Sequence, residues 1–355
     1  MSLPEVSVNS INSAGSLAEL KEIHSATNES VMMAFSISSS VKAFQEIISD
    51  YREKIMIKVI DILEKAMEAE FGKVPAKYAF VCGGSEGRRE QTLSTDQDNL
   101  IVFEDEALSN PSAAKYFEIF SKRISDGLEQ VGIAKCKGNV MASNEEWRNS
   151  LGGWAKLLTR MNPREQSDVL KISILLDARH IAGDMDIARK FLDNTHAFVK
   201  EHPTFVDEIA IAATIAPVAI GLFNRFRTEK SGPHKDTFDI KLSGLTPLVL
   251  SVTAFAAKQG TRATNTVERI VELTQERVID PEFANQLEET YYSLTKHRIL
   301  HQIECLRIGA DVNNSINPYR LPAEQQIELK SSLRTVEKLQ KAVYVQFSYA
   351  VFGRF

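Results

Sequence analysis

The residues of this chain best suited to chemistry gather between Tyr78 and Phe103, in the run YAFVCGGSEGRREQTLSTDQDNLIVF. Asp96 and Asp98 stand two residues apart ahead of an apolar run, and on extended backbone that spacing sends both carboxylates off one face. Carboxylate oxygens so paired suit a hard divalent cation such as Mg²⁺ or Mn²⁺. Gly83, Gly84 and Ser85 form a turn where missing Cβ atoms let backbone N–H groups approach an anion, with phosphate the first candidate. Arg88 offers a cation nearby, and Thr95 directly precedes the acidic pair. A third carboxylate, Asp177, closes the apolar run LKISILL, with Arg179 two residues on. Three carboxylates at the ends of neighbouring strands can hold two such ions, which stabilise the attacking and leaving oxygens of phosphoryl or nucleotidyl transfer. In that scheme Asp96 and Asp98 bridge the ions, while Asp177 binds the catalytic one and helps to deprotonate an incoming hydroxyl.

Other motifs are weaker. A Walker A loop requires Gly-Lys-Ser/Thr, whereas Gly87 is followed by Arg88 and Arg89. The spacing of Gly83, Gly84 and Gly87 does not match a dinucleotide-binding fingerprint. His297, His301 and Cys305 recur every four residues on one expected helix, but without a fourth ligand they read as a structural face. Trp147 and Trp154 read as packing residues.

The elements that must position the acidic residues follow from periodicity. Residues 1–17, rich in Ser and Asn, read as a poorly ordered lead-in. Residues 18–75 carry apolar positions at helical spacing, for example Val41, Phe44, Ile47, Ile48, Ile55 and Val59, and end at Gly72 and Pro75. Residues 76–185 form a small α/β core: strands at Tyr78–Val81, Asn99–Phe103, Ile133–Cys136 and Leu170–Leu176, a helix opened by Pro111, and another capped by Asn144. Residues 186–355 read as a helical bundle without strands, its segments being 184–200, 203–228, 243–258, 266–279, 281–308 and 322–349. The expected class is α+β, a small mixed sheet flanked by N-terminal helices and a C-terminal all-α domain.

The bulk figures suit that reading. With 355 residues, 43% hydrophobic and 25% charged, the chain can build two ordinary cores. A net charge of −5 and a pI near 5.9 make general polyanion binding, and nucleic acid as partner, an unfavourable expectation. Three scattered cysteines, Cys82, Cys136 and Cys305, fit a reducing compartment, and no segment has the length and apolarity of a membrane span. A cytoplasmic location, with no membrane partner, is expected.

The run from Gly83 to Asp98, GGSEGRREQTLSTDQD, resembles the nucleotidyltransferase core of the DNA polymerase beta-like superfamily: a Gly-Ser turn, a spacer, then Asp-x-Asp. It is most similar to a bacterial nucleotidyltransferase family often found downstream of CBS-domain pairs or cyclic-nucleotide-binding modules. That family in turn is similar to the PII uridylyltransferase and to glutamine synthetase adenylyltransferase. LLDARHIAGD, ending at Asp184, resembles the segment supplying the third carboxylate, which implies roles for Asp177 and Arg179. FDIKLSGLTPL and HRILHQIE resemble the helical C-terminal part and point to Lys241 and Arg298 as nucleotide-facing or domain-packing positions. Gln97 departs from the apolar residue usual between the aspartates in the wider superfamily, and the helical stretch ahead of the core is not expected to hold a CBS or cyclic-nucleotide module.

The resemblance implies a metal-dependent transfer of a nucleoside monophosphate from an NTP to a protein or small-molecule hydroxyl, with release of pyrophosphate. The metal would be Mg²⁺ or Mn²⁺ in a two-ion site, and an oligomer is compatible. A non-catalytic nucleotide-sensing module using the same pocket is the rival, and a purely helical adaptor stands third.

Overall fold

The computed structural model describes residues 5–347. Three helices come first: α1 (Glu5–Ser13), α2 (Leu17–Ser38) and α3 (Val41–Phe71). The expected disordered lead-in is thus largely helix, with Ile11 fully buried, while residues 1–4 lie outside the described ones. Ser16 and Ser40 cap α2 and α3 by accepting hydrogen bonds from Glu19 and Ala43 amides, and Gly72 follows the last turn of α3.

The sheet begins with β1 (Tyr78–Cys82), followed by the one-turn helix α4 (Gly84–Gly87) and β2 (Asn99–Phe103). Pro111 opens α5 (Pro111–Val131) behind the cap residue Asn110, as its position predicts. Asn144 also caps, but only a 3₁₀ turn over Glu145–Trp147. The chain then forms β3 (Arg148–Ser150), and Ser150 caps α6 (Leu151–Arg160), so the single helix expected after Asn144 is interrupted by a strand.

Next comes α7 (Gln166–Leu175), then β4 (Arg179–Gly183). LKISILL is therefore helix, a correction to the strand expected at Leu170–Leu176. Ile172, Leu175 and Leu176 are buried while Leu170 is 58% exposed, a spacing of three and four that belongs to a helix. The strand lies just beyond Asp177. Ile133–Cys136 is not a strand either; it meets the segment ahead of β2 through the bond from the Gln97 amide to the Ala134 carbonyl at 2.9 Å.

The four strands lie in the order β3-β2-β1-β4. β1 is antiparallel to both neighbours, with Cys82 opposite Asn99 on one side and Arg179 on the other, and β2 runs parallel to β3. Phe103 stacks on Phe117 of α5 with centroids 4.5 Å apart, and Tyr78 meets Phe120 edge-on. The Trp154 indole of α6 donates to the Ile101 carbonyl of β2, which anchors that helix to the sheet.

The remaining helices are α8 (Met185–Glu201), α9 (Thr204–Ile215), α10 (Thr246–Gln259), α11 (Thr266–Gln275), α12 (Pro281–Arg307) and α13 (Ala323–Gln346). The helix expected over 203–228 stops at Ile215, ahead of Pro217, and irregular chain follows. Two short strands, β5 (Phe238–Asp239) and β6 (Ser315–Ile316), pair antiparallel where none was expected.

The chain divides into two compact units, the first comprising 1–161 with 174–198 and the second 162–173 with 199–355. The first holds the sheet and the N-terminal helices. The second is helical, with Leu248, Val252, Leu287, Leu294, Leu333 and Val336 fully buried in its core. No helix among the described residues is long and apolar enough to cross a membrane.

Candidate active site

The acidic pair sits where β1 and β2 open. The β1–β2 ladder continues one step past the strands, the Gly83 amide donating to the Asp98 carbonyl at 2.9 Å. Gly84 has φ +52°, and a Cβ there would stand 2.4 Å from the Asp98 carboxylate oxygen. Only glycine lets that carboxylate lie against the turn, so the glycine run seats an acidic side chain as well as shaping the backbone. Ser85 is half-buried beside it.

Gln97 points the other way, as alternation requires. Its amide nitrogen donates to the Ser125 and Ile133 carbonyls at the C-terminal end of α5, and its oxygen accepts from Asn99. An apolar residue would forfeit both of these buried bonds, which accounts for the polar residue between the aspartates. Asp96 and Asp98 remain partly exposed on the opposite side. Residues 134–140 run alongside them, joined by the Gln97 amide to Ala134 and the Asn99 amide to Val140. The Cys136 thiol registers this: burial first, then the Asp98 charge, pushes its pKa up to about 11.

Asp177 lies on the other flank of β1. Its carbonyl abuts Gly87, where a Cβ would come within 1.9 Å of it, so α4 can dock on this turn only through a glycine. Its carboxylate accepts from Arg88 at 2.5 Å, and the same guanidinium bonds Glu90 at 2.7 Å. Burial alone would lower the Arg88 pKa, but these two carboxylates raise it, and the cation is retained. Asp98 leads into β2 and Asp177 precedes β4, with β1 between those two strands. Asp177 shares the sheet end with Asp96 and Asp98, yet among the described residues no three His, Cys, Asp or Glu side chains are grouped to hold a metal. Asp96 and Asp98, both partly exposed, are hard-oxygen donors of the kind that Mg²⁺ or Mn²⁺ takes, and the Asp98 carboxylate lies against Gly84.

The other sequence candidates are placed as follows. The Thr95 hydroxyl is used within its own turn, accepting from the Thr92 amide and donating to the Thr92 carbonyl. Arg179 bonds Glu53 of α3 at 2.8 Å. Lys241 and Arg298 belong to the second unit; Lys241 is exposed at the start of a π-helical turn, and Arg298 is buried and donates to Asn314.

Sequence reading missed the support beneath the loop. Arg52 of α3 and Glu86 of α4, each 3% exposed, form an ion pair at 3.2 Å, and Arg52 also donates to the Thr95 carbonyl. Gln91 joins Glu86 to Ser49, and Arg89 bonds Asp50 and Glu53. One signal was available: Ser49 and Arg52 interrupt the apolar stripe of α3 between Ile48 and Ile55, where a polar residue must find a buried partner.

Two family models match the chain. Residues 25–168 match the family described as "Putative nucleotidyltransferase DUF294", and residues 203–347 match its "Putative nucleotidyltransferase substrate binding domain". No curated protein matches the chain.

Proposed function

Because the chain belongs to the DUF294 nucleotidyltransferase family, we propose that it transfers a nucleoside monophosphate from an NTP to a hydroxyl acceptor, with Mg²⁺ or Mn²⁺ as cofactor. The observation that carries this reading is the Asp98 carboxylate seated on Gly84, with Asp96 two residues upstream, at the end of the central strands. A bound divalent ion supplies charge neutralisation to the triphosphate and to the developing charge on its oxygens. Asp96 and Asp98 hold that ion, and Gly83, Gly84 and Ser85 offer the triphosphate a close backbone approach. The acceptor oxygen forms a bond to the α-phosphorus as the bond to pyrophosphate breaks. The hydroxyl proton passes to a carboxylate, and Asp177 can take it once Arg88 lets it go. The description of the C-terminal family model supports a role for the second unit in binding a substrate, whether protein or small molecule.

Labelled NTP with Mg²⁺ or Mn²⁺ and cell extract tests this. Wild type should label an acceptor and the Asp96→Asn/Asp98→Asn variant should not; identical labelling by both sinks the proposal. The Arg88 clamp on Asp177 favours a second reading, a nucleotide sensor without turnover. Calorimetric NTP binding that depends on Asp98, with no labelled product from any acceptor, selects the sensor.

A further inference from the structure

The direction in which the Asp96 carboxylate leaves the chain is set by the two peptide planes on either side of it. The Thr95 carbonyl and the Asp96 N–H share one plane, and the Asp96 carbonyl shares the next with the Gln97 N–H. Each plane is held by a group from another segment. Arg52 Nη2 of α3 donates to the Thr95 carbonyl at 3.2 Å, and the Gln97 N–H donates to the Ala134 carbonyl at 2.9 Å. With both planes fixed, the two soft dihedrals of Asp96 are fixed as well. The Thr95 hydroxyl only closes its own turn on Thr92, so it is the guanidinium that ties residue 95 to α3.

Arg52 also reaches the other half of the site. Its Nε stands 3.2 Å from the Glu86 carboxylate in α4, and both side chains are buried. α4 is a single turn, and one turn of helix is unfavourable by itself because it fixes several dihedrals for few hydrogen bonds. The Gln91 amide bonds the same carboxylate and its oxygen accepts from Ser49, so Glu86 is tied to α3 at two points three residues apart. Asp98 is placed separately, by the Gly83 amide and by the space at Gly84.

On the transfer reading given above, we propose that Arg52 is a positioning residue: one buried guanidinium sets the backbone at Asp96 and, through Glu86, the Gly84–Gly87 turn, so that metal and triphosphate are met at one fixed spacing. A role in stability alone and a role in positioning part company when both partners lose their charge. In Arg52→Met/Glu86→Gln no carboxylate is left buried without its cation, yet methionine has no donor for the Thr95 carbonyl.

The test measures the affinity of the full chain for Mn²⁺ alone, by water-proton relaxation, beside its urea midpoint. Arg52→Met/Glu86→Gln should recover much of the stability lost in Arg52→Met and still bind Mn²⁺ at least 5-fold more weakly than wild type. Arg52→Lys keeps a cation at this position but has one nitrogen where the guanidinium presents a fork, and it should lose affinity by a similar factor. A loss smaller than 5-fold in Arg52→Met/Glu86→Gln, or in Arg52→Lys should the first variant fail to fold, overturns the inference. If Asp96→Asn/Asp98→Asn abolishes Mn²⁺ binding in the same experiment, the transfer reading survives that result. Equal Mn²⁺ binding by wild type and Asp96→Asn/Asp98→Asn refutes the metal site itself, and the role of Arg52 falls with it.

Discussion

Replacing Gly84 by Ala separates backbone cost from damage to the acidic pair. The φ of +52° by itself costs an L-residue about 1–2 kcal/mol. The new Cβ would stand 2.4 Å from the Asp98 carboxylate, and ordinary contact begins at 3.4 Å, so the carboxylate must retreat by 1.0 Å. Metal–oxygen distances tolerate only about 0.2 Å, and a misplacement of 1 Å at a reacting centre costs on the order of 10²-fold. Asp98 can respond by rotating, so the loss falls chiefly on the site and only modestly on stability. Mn²⁺ affinity, read by water-proton relaxation in the presence of NTP, should drop by about 10-fold or more. Urea unfolding should show about 1–2 kcal/mol lost, similar to Gly260→Ala, where φ is +74° and the space around the Cβ is empty. In an Asp98→Ala background the clash disappears, and Gly84→Ala should cost stability only and leave residual Mn²⁺ affinity as it is. Unchanged Mn²⁺ affinity in the single Gly84→Ala variant would refute the idea that this glycine exists to seat Asp98.

Arg52→Met should cost about 3–5 kcal/mol, because it leaves the Glu86 carboxylate buried without its cation, and Arg52→Met/Glu86→Gln should recover much of that. Equal urea midpoints for the two variants would show that the ion pair does not hold the loop. His24, packed against Tyr51 and with its pKa lowered from 6.5 to about 4 by burial and the Arg52 charge, binds its proton more readily unfolded than folded. Its contribution is complete above pH 6.5 and falls away as pH drops toward 4, about 2 kcal/mol being lost by pH 5. Comparing urea stability at pH 7 and pH 5 in wild type and His24→Gln checks this; identical pH dependence would remove His24 from the account.

Much of this arrangement was legible wherever local chemistry decides structure. β1 and β2 are short β-prone runs, α5 has both its Asn-Pro opening and an apolar face, and Asp96 and Asp98 stand just ahead of β2, where the apolar run that follows them puts them. LKISILL was not legible, because a short apolar run carries no period of its own; its helix begins at Gln166, in polar sequence outside the run. Nor does local sequence announce long-range pairs. Arg88 finds Asp177 89 residues away and Arg179 finds Glu53 126 residues away, so two residues expected to face a nucleotide are engaged by carboxylates. The cap at Asn144 was correctly placed and its helix was not, since Arg148 to Ser150 pair with β2 before the helical stretch begins.

The order in which the first unit's segments leave the ribosome has a consequence of its own. When residue 161 has been made, β1, β2 and β3 exist, but the strand that closes the far side of β1 has not been synthesised. Residues 162–173, which join the other unit, must emerge first. Until residue 183 appears, the future middle strand YAFVC is an edge, apolar throughout and able to pair with a neighbouring nascent chain. Slowing translation across 162–183 should therefore raise the aggregated fraction of newly made protein, whereas a pause of equal length after 198 should not.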